Sequence, residues 1–340
     1  MKNVVRTGAV TAVVGVGLSL AVLPAEPASA AGGTQVPCND ITALQAAITD
    51  ANTGGGSITL APHCTYTLTT PDNTDDGLPE ITGNVTISGR GTTIRRAPDS
   101  TQDFRIFHVQ SGGTLTLNSL TVSGGSVPNS SGGGMWNSGT LNLNRAIIKR
   151  NRARSSGAIH NPGGQLNFDH STIERNTATL NGGGITNGSN PILGRVGTLT
   201  MKGGALLNNR ALGENGGALE NLRSSTSLDS VSVRGNTALH GGGIHQFGGT
   251  LSLTSTIVSH NIAVTGAGLF SEFSTPTLVR SLVTRNTAIT AGGGIFNGTS
   301  SQVTLTDSRV IHNAPDNCSP EGSVPGCTNP IDSTDRKARN

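Results

Sequence analysis

Residues 233–245 read Val233-Arg234-Gly235-Asn236-Thr237-Ala238-Leu239-His240-Gly241-Gly242-Gly243-Ile244-His245. Residues 258–270 read Val258-Ser259-His260-Asn261-Ile262-Ala263-Val264-Thr265-Gly266-Ala267-Gly268-Leu269-Phe270. Each stretch has an aliphatic three residues before an asparagine and an alanine two residues after it. A glycine cluster then opens onto a second aliphatic. Working outward, the asparagine recurs at Asn151, Asn176, Asn209, Asn236, Asn261, Asn286 and Asn313, in steps of 25, 33, 27, 25, 25 and 27 residues. Ile148, Ile173, Leu206, Val233, Val258, Val283 and Val310 precede these asparagines. Eight and ten residues upstream lie apolar pairs such as Leu141/Leu143, Leu166/Phe168 and Leu251/Leu253. Residues 113–138 repeat the unit without its asparagine.

A unit of about 25 residues with period-2 apolar positions, turn residues and no 3.6-residue period reads as short strands joined by turns. It is too short for a propeller blade of about 40–45 residues. Three short strands per coil, each pairing in parallel with the next coil, would satisfy every backbone group. The repeat therefore predicts a parallel β-helix, with roughly ten coils at about 4.8 Å rise. The long step places its extra residues around Ser189-Asn190-Pro191-Ile192, as a loop. Equivalent asparagines would stack as a structural ladder, because a buried amide left unpaired costs about 1–3 kcal/mol. The glycine runs complete no Gly-x-Gly-x-x-Gly and open no helix, so they are not phosphate loops.

The rest of the chain fits this reading. Its 340 residues include 48 glycines, 13% charged and 3% aromatic residues, and the net charge is +3. Collagen is excluded by the lack of a Gly-X-Y period. A disordered chain is excluded by the low net charge, and a nucleic-acid binder by the lack of a basic, aromatic-interleaved stripe. Lys2 and Arg6, the apolar run Thr7 to Leu23 and Ala28-Ser29-Ala30 form a secretory signal pattern over residues 1–30. The mature chain is then expected outside the cell, with no membrane association. Cys38, Cys64, Cys318 and Cys327 suit an oxidising compartment. Of three possible connectivities, a rigid rod between the two pairs leaves only Cys38–Cys64 and Cys318–Cys327. Asn39-Asp40 ahead of Ile41, Leu44 and Ile48 reads as an N-capped amphipathic helix covering the first coil. The expected organisation is a cap at 31–56, a β-helix at 57–318, and a disulfide loop and tail at 319–340, fraying from 328.

The Ile/Leu/Val-x-x-Asn and Gly-Gly-Ala/Gly-Ile/Leu repeats resemble those of the chlamydial-type polymorphic outer-membrane-protein family. The segment from Leu78-Pro79-Glu80-Ile81 to Gly113-Thr114-Leu115-Thr116-Leu117 is similar to the early coils of secreted pectin-lyase-like β-helix proteins. The resemblance covers roughly residues 36–318. It implies an all-β, single-stranded, right-handed parallel β-helix with an N-terminal capping helix. Outer-membrane members carry a C-terminal translocator barrel. The chain ends soon after Cys327 without one, so self-transport is not expected.

Register locates the candidate functional side chains. Directly after the aliphatic that follows each glycine cluster stand Trp136, His160, Thr186, Glu220, His245, Phe270 and Phe296, expected to face outward. Glu220 and His245 would lie one strand spacing apart, as an acid/base pair or as a solvated surface pair. The aromatic members would stack on sugars or lie under a loop. A second stripe of Lys149, Arg150, Arg152, Arg175, Arg210, Arg234, His260, Arg285 and His312 would line the asparagine turn as a positive ridge. It would act as a solvated rim or hold an acidic polymer. Repeat acids are too scattered for a pectate-lyase Ca²⁺ site, and no paired-carboxylate hydrolase motif is complete. No metal or cofactor is expected, apart from weak structural Ca²⁺ at Asp72-Asn73-Thr74-Asp75-Asp76 plus Glu80. Two functions follow. One is a non-catalytic extracellular surface, adhesion or polysaccharide-binding module. The alternative is a lyase or glycoside hydrolase acting on an acidic polysaccharide.

Overall fold

The computed structural model describes residues 33–189 and 194–330. The leader at 1–30, most of the 189–192 loop and the tail from 331 lie outside the described residues. The described chain is a parallel β-solenoid of about 11 turns with one helix. Among the described residues, no helix is long and apolar enough to cross a membrane.

A representative turn has four strand segments rather than three. They are Thr140–Asn144, Ile147–Lys149, Arg152–Ser155 and Ile159–Asn161. The first two kinds stack into one 19-stranded sheet, and the fourth builds a nine-stranded sheet from Phe107–Val109 to Cys318–Ser319. The third kind forms short sheets between them. Alternate residues fill the interior, since side chains of a strand point to opposite faces. Leu141, Leu166 and Leu199 share one inward column, and Ile148, Ile173, Leu206, Val233 and Val258 share another. All are buried.

The extra corner arises because a residue in the left-handed region separates the first two strands. His170, Ser230, Ser255 and Arg280 occupy it at φ of 47°, 59°, 47° and 48°. A non-glycine residue there costs about 1–2 kcal/mol. After His170, Ser255 and Arg280 the hydroxyl of the next residue compensates. Ser171 Oγ accepts from the Ala146 N–H at 3.0 Å, Thr256 Oγ1 from Val231 at 3.3 Å and Ser281 Oγ from Thr256 at 3.1 Å.

The helix spans Ile41–Gly54, where Asp40 accepts from the Ala43 N–H at 2.9 Å. Leu44, Ala47, Ile48 and Ala51 are buried along one face. The strand Thr34–Val36 precedes the helix and already pairs with Gly56–Leu60, so the helix connects two paired strands. Disulfides join Cys38 to Cys64 and Cys318 to Cys327. The tail does not fray at 328. Asn329 Oδ1 accepts from the N–H groups of Asn317 and Cys318, both at 2.9 Å, and closes the last turn.

Candidate functional site

The nine-stranded sheet sets Trp136, His160, Thr186, Glu220, His245, Phe270 and Phe296 in one unbroken register column. His108 extends it by one strand beyond Trp136. The rings touch along the axis. Centroids of Trp136 and His160 lie 4.6 Å apart, those of His245 and Phe270 5.4 Å, and those of Phe270 and Phe296 4.9 Å with planes only 9° apart. Strands about 4.8 Å apart bring successive rings to offset-stacking or edge distance.

Two open clefts lie over this column. One, of about 540 Å³, is lined by Trp136, His160, Thr186 and Glu220 together with Ser155, Leu180, Asn181, Pro162 and Arg195. The second, of about 600 Å³, lies over Phe270 and Phe296, with His240, Glu272 and Asn297.

The column points away from the core, yet its middle is not a solvated surface. Glu220 is 2% exposed and His245 5%, which corrects the surface-pair expectation. Burial is the largest influence on Glu220 and pushes its carboxyl up to about 8, aided by the charge of Glu214 and opposed by the Thr186 hydrogen bond. That bond runs from Thr186 Oγ1 to Glu220 Oε2 at 3.3 Å. Burial, with His240 nearby, pushes His245 down to about 3. Burial, with Arg105, pushes His160 down to about 4. At neutral pH the groove thus presents a protonated acid and neutral imidazoles. Glu220 and His245 are register partners, but among the described residues no ion pair joins them. The proton stays on Glu220, and the His245 Nδ1 is buried without a partner.

Two amide ladders hold the strands in place. In the first, the N–H and Nδ2 of each asparagine donate to Oδ1 of the next, from Asn151 through Asn176, Asn209, Asn236, Asn261 and Asn286 to Asn313. Asn317 accepts from Asn313 and ends it. The sequence reading missed the second. Asn137, Asn161, Asn187, Asn221 and Gln246 pass one hydrogen bond along at 2.6–2.9 Å, each directly after a groove residue. Its signal was the aliphatic-x-Asn/Gln that recurs after the glycine clusters from Met135 to Ile244, before Ser271 breaks it.

The basic residues do not form a single line. Arg150, Arg175, His260, Arg285 and His312 share the left-handed turn position, interrupted by Asn208 and Gly235. Lys149 and Arg234 belong to a second column broken by Glu174 and Leu207. Arg152 and Arg210 belong to a third, with Thr177 between them. The turn geometry staggers what the sequence spacing suggested would align. The field is still positive: burial, Arg234 and Arg285 all lower the His260 pKa.

The acidic loop before Glu80 is committed elsewhere. The Arg105 guanidinium is 2% exposed, binds Asp76 Oδ1, and reaches Asp75 Oδ2 at 2.8 Å. It also lies 5.6 Å from the Trp136 ring. Asp72 Oδ1 accepts from Gln45, and the Asn73 side chain accepts from the N–H groups of Asp75 and Asp76. With a guanidinium in its centre, this loop does not offer the six to eight oxygens that Ca²⁺ takes. His108 Nδ1 lies 3.2 Å from Asp76 Oδ2 and 3.4 Å from Glu80 Oε1. Burial alone would raise the Asp76 carboxyl, but its bonds to His108 and Arg105 hold it below the usual range. Residues about 30 apart build this cluster, outside the regular repeat: the sequence marked its carboxylates as a loop, but nothing in it marked Arg105 or His108 as their partners.

In comparisons with protein-family models, with curated proteins and with solved structures, the chain matches none.

Proposed function

We propose that this chain is an exported, right-handed β-helix, closed at its N-terminal end by the helix, that binds a linear polysaccharide along the nine-stranded sheet. The observation that carries this reading is the in-register column of rings beneath two open clefts. A sugar ring presents C–H groups that pack on an aromatic face, and its hydroxyls need fixed partners. Trp136 and Phe296, both part-exposed, supply such faces at the two ends of the column, and Phe270 backs the Phe296 ring. Thr186 and the protonated Glu220 supply polar contacts between them. An extended polymer along the axis would meet one side chain every ~4.8 Å. Right-handed winding is the hand that parallel-strand crossovers adopt, and two disulfides suit an extracellular setting.

The test is affinity electrophoresis through gels containing neutral and acidic polysaccharides. Retardation by at least one polymer, weakened about tenfold by Trp136→Ala or Phe296→Ala, supports the reading. No retardation by any polymer, or retardation that both variants leave unchanged, contradicts it.

A second reading rests on Glu220, because a carboxyl kept protonated at neutral pH is what a glycosidic general acid requires. New reducing ends released from the bound polymer, and lost in Glu220→Gln, would convert the binding module into a hydrolase.

A further inference from the structure

We propose that Asp76, Glu80 and His108 form a binding site for one zinc-class divalent ion, at the end of the ring column. The inference stands on the cluster alone and does not depend on what the groove binds.

The three donor atoms lie within 4.8 Å of one another. His108 Nδ1 is 3.2 Å from Asp76 Oδ2 and 3.4 Å from Glu80 Oε1. A zinc ion at about 2.0–2.2 Å from nitrogen and oxygen ligands, with angles between 90° and tetrahedral, sets those ligands about 3.0–3.5 Å apart. Both histidine–carboxylate spacings fall in that range, and the two carboxylates lie within 4.8 Å of each other. A charge-assisted hydrogen bond from an imidazolium to a carboxylate would draw in to about 2.7–2.9 Å, and neither contact does.

Charge and donor chemistry agree. Asp75, Asp76 and Glu80 carry three negative charges and Arg105 one positive. With His108 neutral, as ligation requires, the cluster has a surplus of two negative charges, which one divalent ion cancels. One imidazole nitrogen with two carboxylate oxygens suits Zn²⁺, Mn²⁺ or Co²⁺, whereas Ca²⁺ takes an all-oxygen shell. Arg105 fixes Asp76 through Oδ1 and leaves Oδ2 directed at His108, the role of an outer partner that orients a ligand. Asp76 is buried, while Glu80 and His108 are part-exposed, so an ion has a path in. Three protein ligands leave a coordination position open. The His108 ring lies 6.0 Å from that of Trp136, which lines the first cleft.

Chelator-treated protein is titrated calorimetrically with Zn²⁺ at neutral pH, and separately in the presence of excess Ca²⁺. The proposal expects one equivalent of Zn²⁺ bound. Affinity should fall about tenfold or more in both His108→Ala and Glu80→Gln, with little effect of Ca²⁺. Both residues are part-exposed, and circular dichroism melts confirm that the variants fold. Absence of stoichiometric binding, binding that neither variant weakens, or displacement by Ca²⁺ overturns the proposal.

Discussion

The side-chain Nδ2 and the backbone N–H of Asn236 both donate to Oδ1 of Asn261, each at 2.9 Å. Asn261 in turn donates from Nδ2 to the Val233 carbonyl at 3.0 Å and passes the same pair of bonds to Asn286. Each rung thus satisfies a buried turn and fixes the offset between two coils. Replacing Asn261 with leucine strands two donors on Asn236 and one carbonyl. The expected loss is about 2–5 kcal/mol by urea unfolding. Arg285→Ala, at an exposed turn, is the control and should stay within about 0.5 kcal/mol.

Glycines in the repeated cluster have different duties. Gly241 adopts φ of 63°. Gly242 needs room instead: a Cβ there would sit 2.4 Å from the Ile262 carbonyl oxygen and 2.8 Å from its carbon. Those are backbone atoms of the next coil and cannot rotate aside. Gly242→Ala should cost about 2–4 kcal/mol. Gly54→Ala, whose Cβ meets nothing within 4 Å at the end of the helix, should be neutral or stabilising by up to about 1 kcal/mol.

Glu220 makes stability depend on pH in the alkaline direction. Its folded pKa near 8 lies above the ordinary 4.5. The folded chain therefore keeps a proton that the unfolded chain releases. That contribution is complete below pH 4.5 and declines as pH rises towards 8. Urea midpoints should fall across this window in the native protein. Glu220→Gln should flatten the decline.

His245 acts at the acid end. Its folded pKa near 3 lies below 6.5, so the unfolded chain takes up a proton that the folded chain refuses. Stability from this residue is complete above pH 6.5 and is lost as pH falls towards 3. His245→Phe removes the titration and extends the Phe270–Phe296 stack. Acid unfolding should shift to lower pH in this variant, and an unchanged midpoint would count against the assignment.

The solenoid was legible because one coil obeys one rule. Asn236, Asn261 and Asn286 repeat at a spacing that only stacked turns explain, and the residue after each buried aliphatic shares a face by alternation. Burial of Glu220 was not legible, because Leu180 and Asn181, which help wall the cleft over it, belong to the turn before its own coil. The residue type at the Asn181 position also changes from coil to coil, through Asn215, His240, Thr265 and Ala291. The Asp76–Arg105–His108 cluster was hidden for a related reason. The first coils vary in length, and 29 and 32 residues separate Asp76 from Arg105 and His108. The extra corner at His170 or Arg280 escaped because a non-glycine residue at positive φ carries no compositional mark.

Trp136 is the only tryptophan in the chain and lines the first cleft, so its emission reports on the groove directly. The account predicts that fragments of a retained polysaccharide shift this emission saturably, at the concentration at which calorimetry records binding. Calorimetric binding with Trp136 emission unchanged would place the polymer elsewhere and contradict the groove.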